Sequence, residues 1–191
     1  MTAMLSVVRV PALRPQVGAP AAPWADDPAD ALQRHFATVA HERMAGLAFL
    51  NPAIEVRVAH CQRVAGDWLA ALVTPWCIQL VLLPGGGSLW EDSAPGLRRR
   101  VVLPAGELVF LGDAGEANLP AYQYCPLIAP IDRMPDTATA CAIACDALAA
   151  ALVAPATAAV INEAEMAEPA PTSRRAFLGI RERNGFVRHS P

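Results

Sequence analysis

Lysine is missing from this chain, in which all 15 basic residues are arginine. That absence excludes a P-loop lysine and a Schiff-base lysine. The net charge of −3 also lacks the basic excess expected of a nucleic-acid-binding domain. There are 5 cysteines but no C-x-x-C pair, and an odd number without that spacing is no disulfide framework. No apolar run of membrane length is unbroken. The strongest, WLAALVTPWCIQLVLLP, holds Thr74, Pro75 and Gln79, which reads as two buried strands rather than a span of roughly 20 residues. At the N-terminus, MTAMLSVVRVPALRP is broken by Arg9 and Pro11 and makes no export signal. A cytoplasmic location is expected, without membrane insertion or nucleic acid.

Catalytic and metal motifs are equally scarce. HERMA, from His41, falls short of H-E-x-x-H because Ala45 replaces the second histidine. His35 and His41 are six apart on a helical segment and project differently, so a solvated or capping role is expected for both. The glycine-rich LPGGGSLW has neither the Gly-Lys ending of a P-loop nor the G-x-x-G of a dinucleotide turn. Its glycines are expected to supply positive φ in a loop leaving a strand. LRRR, Leu97 to Arg100, reads as a solvated basic turn. Nothing indicates catalysis, and no cofactor or metal is expected.

What is present is apolar material, 54% of 191 residues, enough for one domain with tails. Residues 1–25 are rich in Pro and Ala and are expected to be loose. A helix follows, with Asp27 as N-cap, Pro28 in the first helical position and Asp30 in the first turn. Leu32, Phe36, Val39 and Leu47 continue it at helical spacing as far as Asn51-Pro52. Alternation at Ile54, Val56 and Val58 gives a half-buried strand, Gly66-Asp67 a turn, and WLAALV and CIQLVLL two buried strands. ELVFLGDAGEANLPAYQYCPLI reads as a further antiparallel pair. A second helix, capped by Asp136, runs from Thr137 to Val153 with an apolar stripe of Cys141, Cys145, Leu148 and Leu152. Cys61, Cys77 and Cys125 are expected to pack in strands. The fold class is α+β: an antiparallel sheet of about five strands, packed by an N-terminal and a C-terminal helix, with loose termini. The domain covers 26–162, and 163–191 forms a linker and an arginine-bearing tail.

Two features stand apart from this packing. Trp76 and Trp90 flank the glycine run in the sequence, and each indole N–H needs a partner when buried. They serve either the core or a binding surface. In the tail, Ser173-Arg174-Arg175-Ala176-Phe177-Leu178 has the form S-R-R-x-F-L, the core of a twin-arginine export signal, yet no apolar run follows it.

ERMAGLAFLNP, DWLAALVTPWCIQLVLLPGGGSLW, LPAGELVF, AYQYCPLIAPI and SRRAFLGI together resemble the HybE-type assembly chaperones of nickel–iron hydrogenases, a family also called HupJ or HoxT. The resemblance covers roughly residues 30 to 182. Some relatives carry a rubredoxin-like domain with two C-x-x-C pairs, and this chain has none, so iron is not implied. The resemblance implies an α+β helper protein rather than an enzyme. Its expected partner is the precursor of an exported hydrogenase small subunit, held by its twin-arginine signal until cofactors are inserted. The large subunit and other maturation proteins are further possible partners. Trp76, Trp90, Arg174 and Arg175 match the family's motifs and are the interaction candidates, with Phe177 and Leu178 beside them. On this view the tail is an internal mimic of the client signal. The alternative is that Phe177 and Leu178 pack on the sheet while the arginines pair with carboxylates. An accessory protein that handles redox chemistry or metals through its cysteines is the competing function.

Overall fold

The computed structural model describes residues 20–154; Arg174, Arg175, Phe177 and Leu178 lie outside them. Helix α1 spans Ala29–Glu42 and α2 spans Thr137–Ala151. Between them come β1 (Arg57–Val64), β2 (Asp67–Thr74), β3 (Cys77–Leu83), β4 (Arg98–Leu103), β5 (Gly106–Glu116) and β6 (Leu119–Ile128). The strands form one sheet in the order β1-β2-β3-β6-β5-β4, and every neighbouring pair is antiparallel. The fold class is the α+β expected, with six strands rather than about five. The added strand is β4, which contains the arginine run read above as a turn. Arg98 and Arg100 point to water, while Val101 and Leu103 alternate with them into the core.

Two-residue hairpins link β1 to β2, β2 to β3, β4 to β5, and β5 to β6. Ala65 and Gly66, with φ of 49° and 90°, make the first of these turns, whose two positive φ values match the strand twist. The turn therefore lies one residue before the expected Gly66-Asp67, and Asp67 opens β2. The long connection from Pro84 to Leu97 carries the chain from β3 to β4.

Each helix covers one face of the same half of the sheet. Leu32 and Phe36 of α1 pack with Ala70, Leu72, Val81, Leu83, Leu119 and Tyr122. On the other face, Ala140, Ala144 and Leu148 of α2 pack with Leu69, Ala71, Val73, Ile78 and Leu80. Asp136 caps α2 as expected, accepting the Thr139 N–H at 2.7 Å. The buried stripe of α2 is offset from the expected one: Ala140, Ala144, Leu148 and Ala151 face the sheet, and Cys141 and Cys145 flank them half-buried.

Helix α1 departs further from expectation. It starts at Ala29, with Pro28 at the cap, while the Asp27 carboxylate accepts the Ala29 N–H at 2.9 Å. It ends at Glu42 rather than near Asn51, because Met44 folds back to the Val39 carbonyl and Gly46 adopts φ 79°. Leu47 is consequently exposed rather than on a buried stripe. His35, expected in a solvated or capping role, is buried, with its ring edge-on to Phe36 and Tyr122 at 5.2 and 6.0 Å.

Candidate functional site

The two tryptophans are not brought together. Trp90 follows the glycine loop and packs on the α2 face, where its backbone N–H bonds Asp67 and its indole N–H bonds Asp92. Trp76 sits in the β2–β3 turn at the far end of β3 and packs on the α1 face.

Around Trp90 the governing residue is Asp67, which the sequence alone marks only as half of a turn pair. Its fully buried carboxylate accepts four backbone N–H groups, from Gly85 and Gly87 on Oδ1 and from Leu89 and Trp90 on Oδ2. Burial pushes its pKa up, but the four donors together outweigh that and hold it below the usual carboxylate range. Two of the glycines are needed for close approach rather than for positive φ. A Cβ on Gly85 would lie 2.4 Å from the Gly66 carbonyl oxygen, and one on Gly87 would lie 2.1 Å from that of Ala65. Only Gly86 of the three has positive φ. The loop and the β1–β2 turn thus interlock, which makes Trp90 part of the scaffold. Residues 21–25 join it: Ala21 donates to Asp92, and the Trp24 carbonyl accepts from Trp68 and Arg63.

Trp76 borders an opening. A cavity of about 210 Å³ lies between α1 and the sheet, lined by Phe36, Val39, Met44, Trp76, Gln79, Asp113, Tyr122 and Tyr124. Phe36 stands 6.4 Å from Trp76 and 5.7 Å from Tyr122, and Tyr122 stands 6.2 Å from Tyr124, ring centre to ring centre. Strand register places Asp113 opposite Tyr122. Burial, followed by the charge and hydrogen bond of Asp113, pushes the Tyr122 phenol up, so it remains a neutral donor. Gln79, only 3% exposed, lines the same cavity. A second hollow of about 390 Å³ lies beside it, between α1 and the β5–β6 hairpin, lined by Ala31, Arg34, His35, Thr38, Glu116 and Asn118. Glu116 pairs there with Arg43. The aromatic faces beside the Asp113 carboxylate suit one cation above others, the planar guanidinium, which stacks on rings and bonds a carboxylate through two N–H groups.

Four of the five cysteines point away from thiol chemistry. Burial pushes Cys77 and Cys125 up, and burial with the neighbouring Asp27 pushes Cys61 up to about 12. A reactive thiol needs the opposite shift. Cys141 is also raised, by burial and then by Cys145, whose Sγ lies 3.6 Å from the Ala59 carbonyl. Among the described residues, no group of three or more His, Cys, Asp or Glu side chains is placed to hold a metal.

This geometry defines an α+β scaffold with a small aromatic cavity, about 210 Å³, beside its first helix. Comparison with known proteins narrows that class. Residues 27–180 match the family model described as "[NiFe]-hydrogenase assembly, chaperone, HybE", and the chain belongs to that family. It is 32% identical over 150 residues to the hydrogenase expression/formation protein HupT of Azotobacter chroococcum mcd 1, covering 78% of this chain and 92% of that protein. It is 29% identical over 103 residues to the hydrogenase-2 operon protein HybE of Escherichia coli (strain K12), covering 53% of this chain. That match spans 62% of the Escherichia coli protein's own length. The solution structure of HybE from Escherichia coli shares the fold, with a TM-score of 0.57 at 23% identity over 89% of this chain and 95% of the other.

Proposed function

We propose that this protein is a cytoplasmic assembly chaperone for an exported nickel–iron hydrogenase. It binds the precursor of the small subunit through its twin-arginine signal and holds it until the cofactors are in place. Family membership supports the chaperone role. The finer reading rests on one observation: four aromatic rings, Asp113 and Gln79 line a single cavity. An arginine side chain suits this lining, with its plane against a ring, its N–H groups on Asp113 and a remaining N–H on the Gln79 oxygen. No helix among the described residues is long and apolar enough to cross a membrane.

The test is a titration of the protein with a fluorescent peptide carrying a small-subunit signal, in both its arginine-pair and lysine-pair forms. The arginine form should bind more tightly, since an ammonium neither stacks as a plane nor bonds through two parallel N–H groups. Asp113→Asn should weaken it roughly tenfold or more, because bonds between charged groups are worth roughly 1.5–3 kcal/mol. Equal affinity for both forms, or none for either, would remove the signal-binding reading while leaving the family assignment in place. Deleting residues from Pro171 onward tests the proposed mimicry by the tail. Tighter peptide binding supports an internal competitor, and unchanged or weaker binding removes it.

A further inference from the structure

From Met44 to Leu50 the chain reads MAGLAFL, seven residues without a polar side chain, yet Ala45 through Phe49 are all exposed. Leu47 and Phe49 are 42% and 49% exposed. A surface connection after a helix is ordinarily polar, and single exposed apolar residues need no explanation, but an unbroken run does. Nor is this arc a loose end. Two successive turns shape it, Leu47 N–H to the Met44 carbonyl and Leu50 N–H to the Leu47 carbonyl. Asn51 then pins it: its N–H bonds the Pro75 carbonyl, and its buried side-chain amide bonds the carbonyls of Ile131 and Met134 at 2.9 and 2.7 Å. The fold therefore holds apolar side chains in water at a fixed place. That place adjoins the groove, since Met44 at the start of the arc lines the aromatic cavity and Pro75 at its anchor precedes Trp76.

We propose that the Met44–Leu50 arc is a second contact surface, which receives the apolar residues that follow the arginine pair of the client signal. The inference rests on the signal-binding reading above and adds a direction to it. Export signals place a charged stretch ahead of an apolar one of roughly 7–15 residues. An arginine seated on Asp113 in the aromatic cavity has the arc directly beside it, because Met44 lines the cavity and begins the arc. A second copy of this chain is the rival occupant of the arc.

Two synthetic peptides separate these outcomes, one carrying the arginine pair with its following apolar run and one cut directly after the second arginine. The longer should bind the unchanged protein roughly tenfold or more tightly, as expected for burying two large, half-exposed apolar side chains. In the Leu47→Ser, Phe49→Ser double variant that advantage should shrink to about threefold or less. The short peptide's affinity should stay the same, and an unchanged melting curve confirms that the variant folds. If both peptides lose affinity equally, or neither does, the arc does not receive the apolar run. If the short peptide binds the unchanged protein and the longer gains nothing, this inference falls alone. If neither binds, the signal-binding reading falls and takes the arc with it. Self-association of the unchanged protein that the double variant abolishes would give the arc to a second copy.

Discussion

At the scale of the residue, Asp67 sets the clearest expectation. Its two carboxylate oxygens each accept two N–H groups, and replacement by Asn turns one oxygen into an amide that faces two donors with a donor. Asp67→Asn should therefore cost about 2–4 kcal/mol, seen as a lower denaturation midpoint. The same residue predicts a pH dependence. Its folded pKa is held below the unfolded value of about 4, so its stabilisation is complete above that value and fades as pH falls through the lowered one. In the Asn variant, that part of the acid slope should disappear from a denaturant series run downward from about pH 5. A slope identical to the parent's would mean that the carboxylate is not the group responsible. None of this was legible beforehand, because Gly66-Asp67 is an ordinary turn pair and the four donors come from about twenty residues further along the chain. Trp76 was legible as a candidate from its place in the motif. Its companions Gln79, Asp113 and Tyr122 were not, because they meet across β3, β5 and β6.

Among elements, the two helices show what a sequence pattern can and cannot carry. Asp136 marks the start of α2 because capping is a local interaction between residues three apart. The buried face of α2 was misread by one position, since alanine is a weak hydrophobic signal and Ala140, Ala144 and Ala151 do the facing. The end of α1 was missed because the apolar spacing runs on to Leu47, which is apolar for another reason than helix burial. Strand β4 was hidden by its arginines, whose outward side alternates with Val101 and Leu103. On α2, Leu148 is fully buried while Cys145 flanks the stripe. Leu148→Ala should accordingly cost roughly 2–5 kcal/mol, and Cys145→Ala should cost much less, by thermal or urea unfolding. Equal losses would place Cys145 in the same packed layer as Leu148.

Over the whole molecule, the sheet consists of two three-stranded meanders, β1-β2-β3 and β4-β5-β6, joined where β3 meets β6. The principal helix packing falls on β1, β2, β3 and β6, leaving β4 as an edge whose Val102 is 66% exposed. Amide hydrogen exchange should follow that division, slowest in β2 and β3 and fastest among the strands in β4. Protection in β4 as strong as in β3 would mean that something further covers that edge. The packing of α2 has a consequence in time. This helix closes the core over β1 and β2, yet roughly eighty residues separate Arg57 from Thr137. At a synthesis rate of about 5–20 residues per second, Leu69, Ala71 and Val73 wait on the order of 4 to 16 seconds for the surface that shelters them. A protein placed in a family of chaperones thus passes through an interval in which its own half-made sheet is the sticky surface.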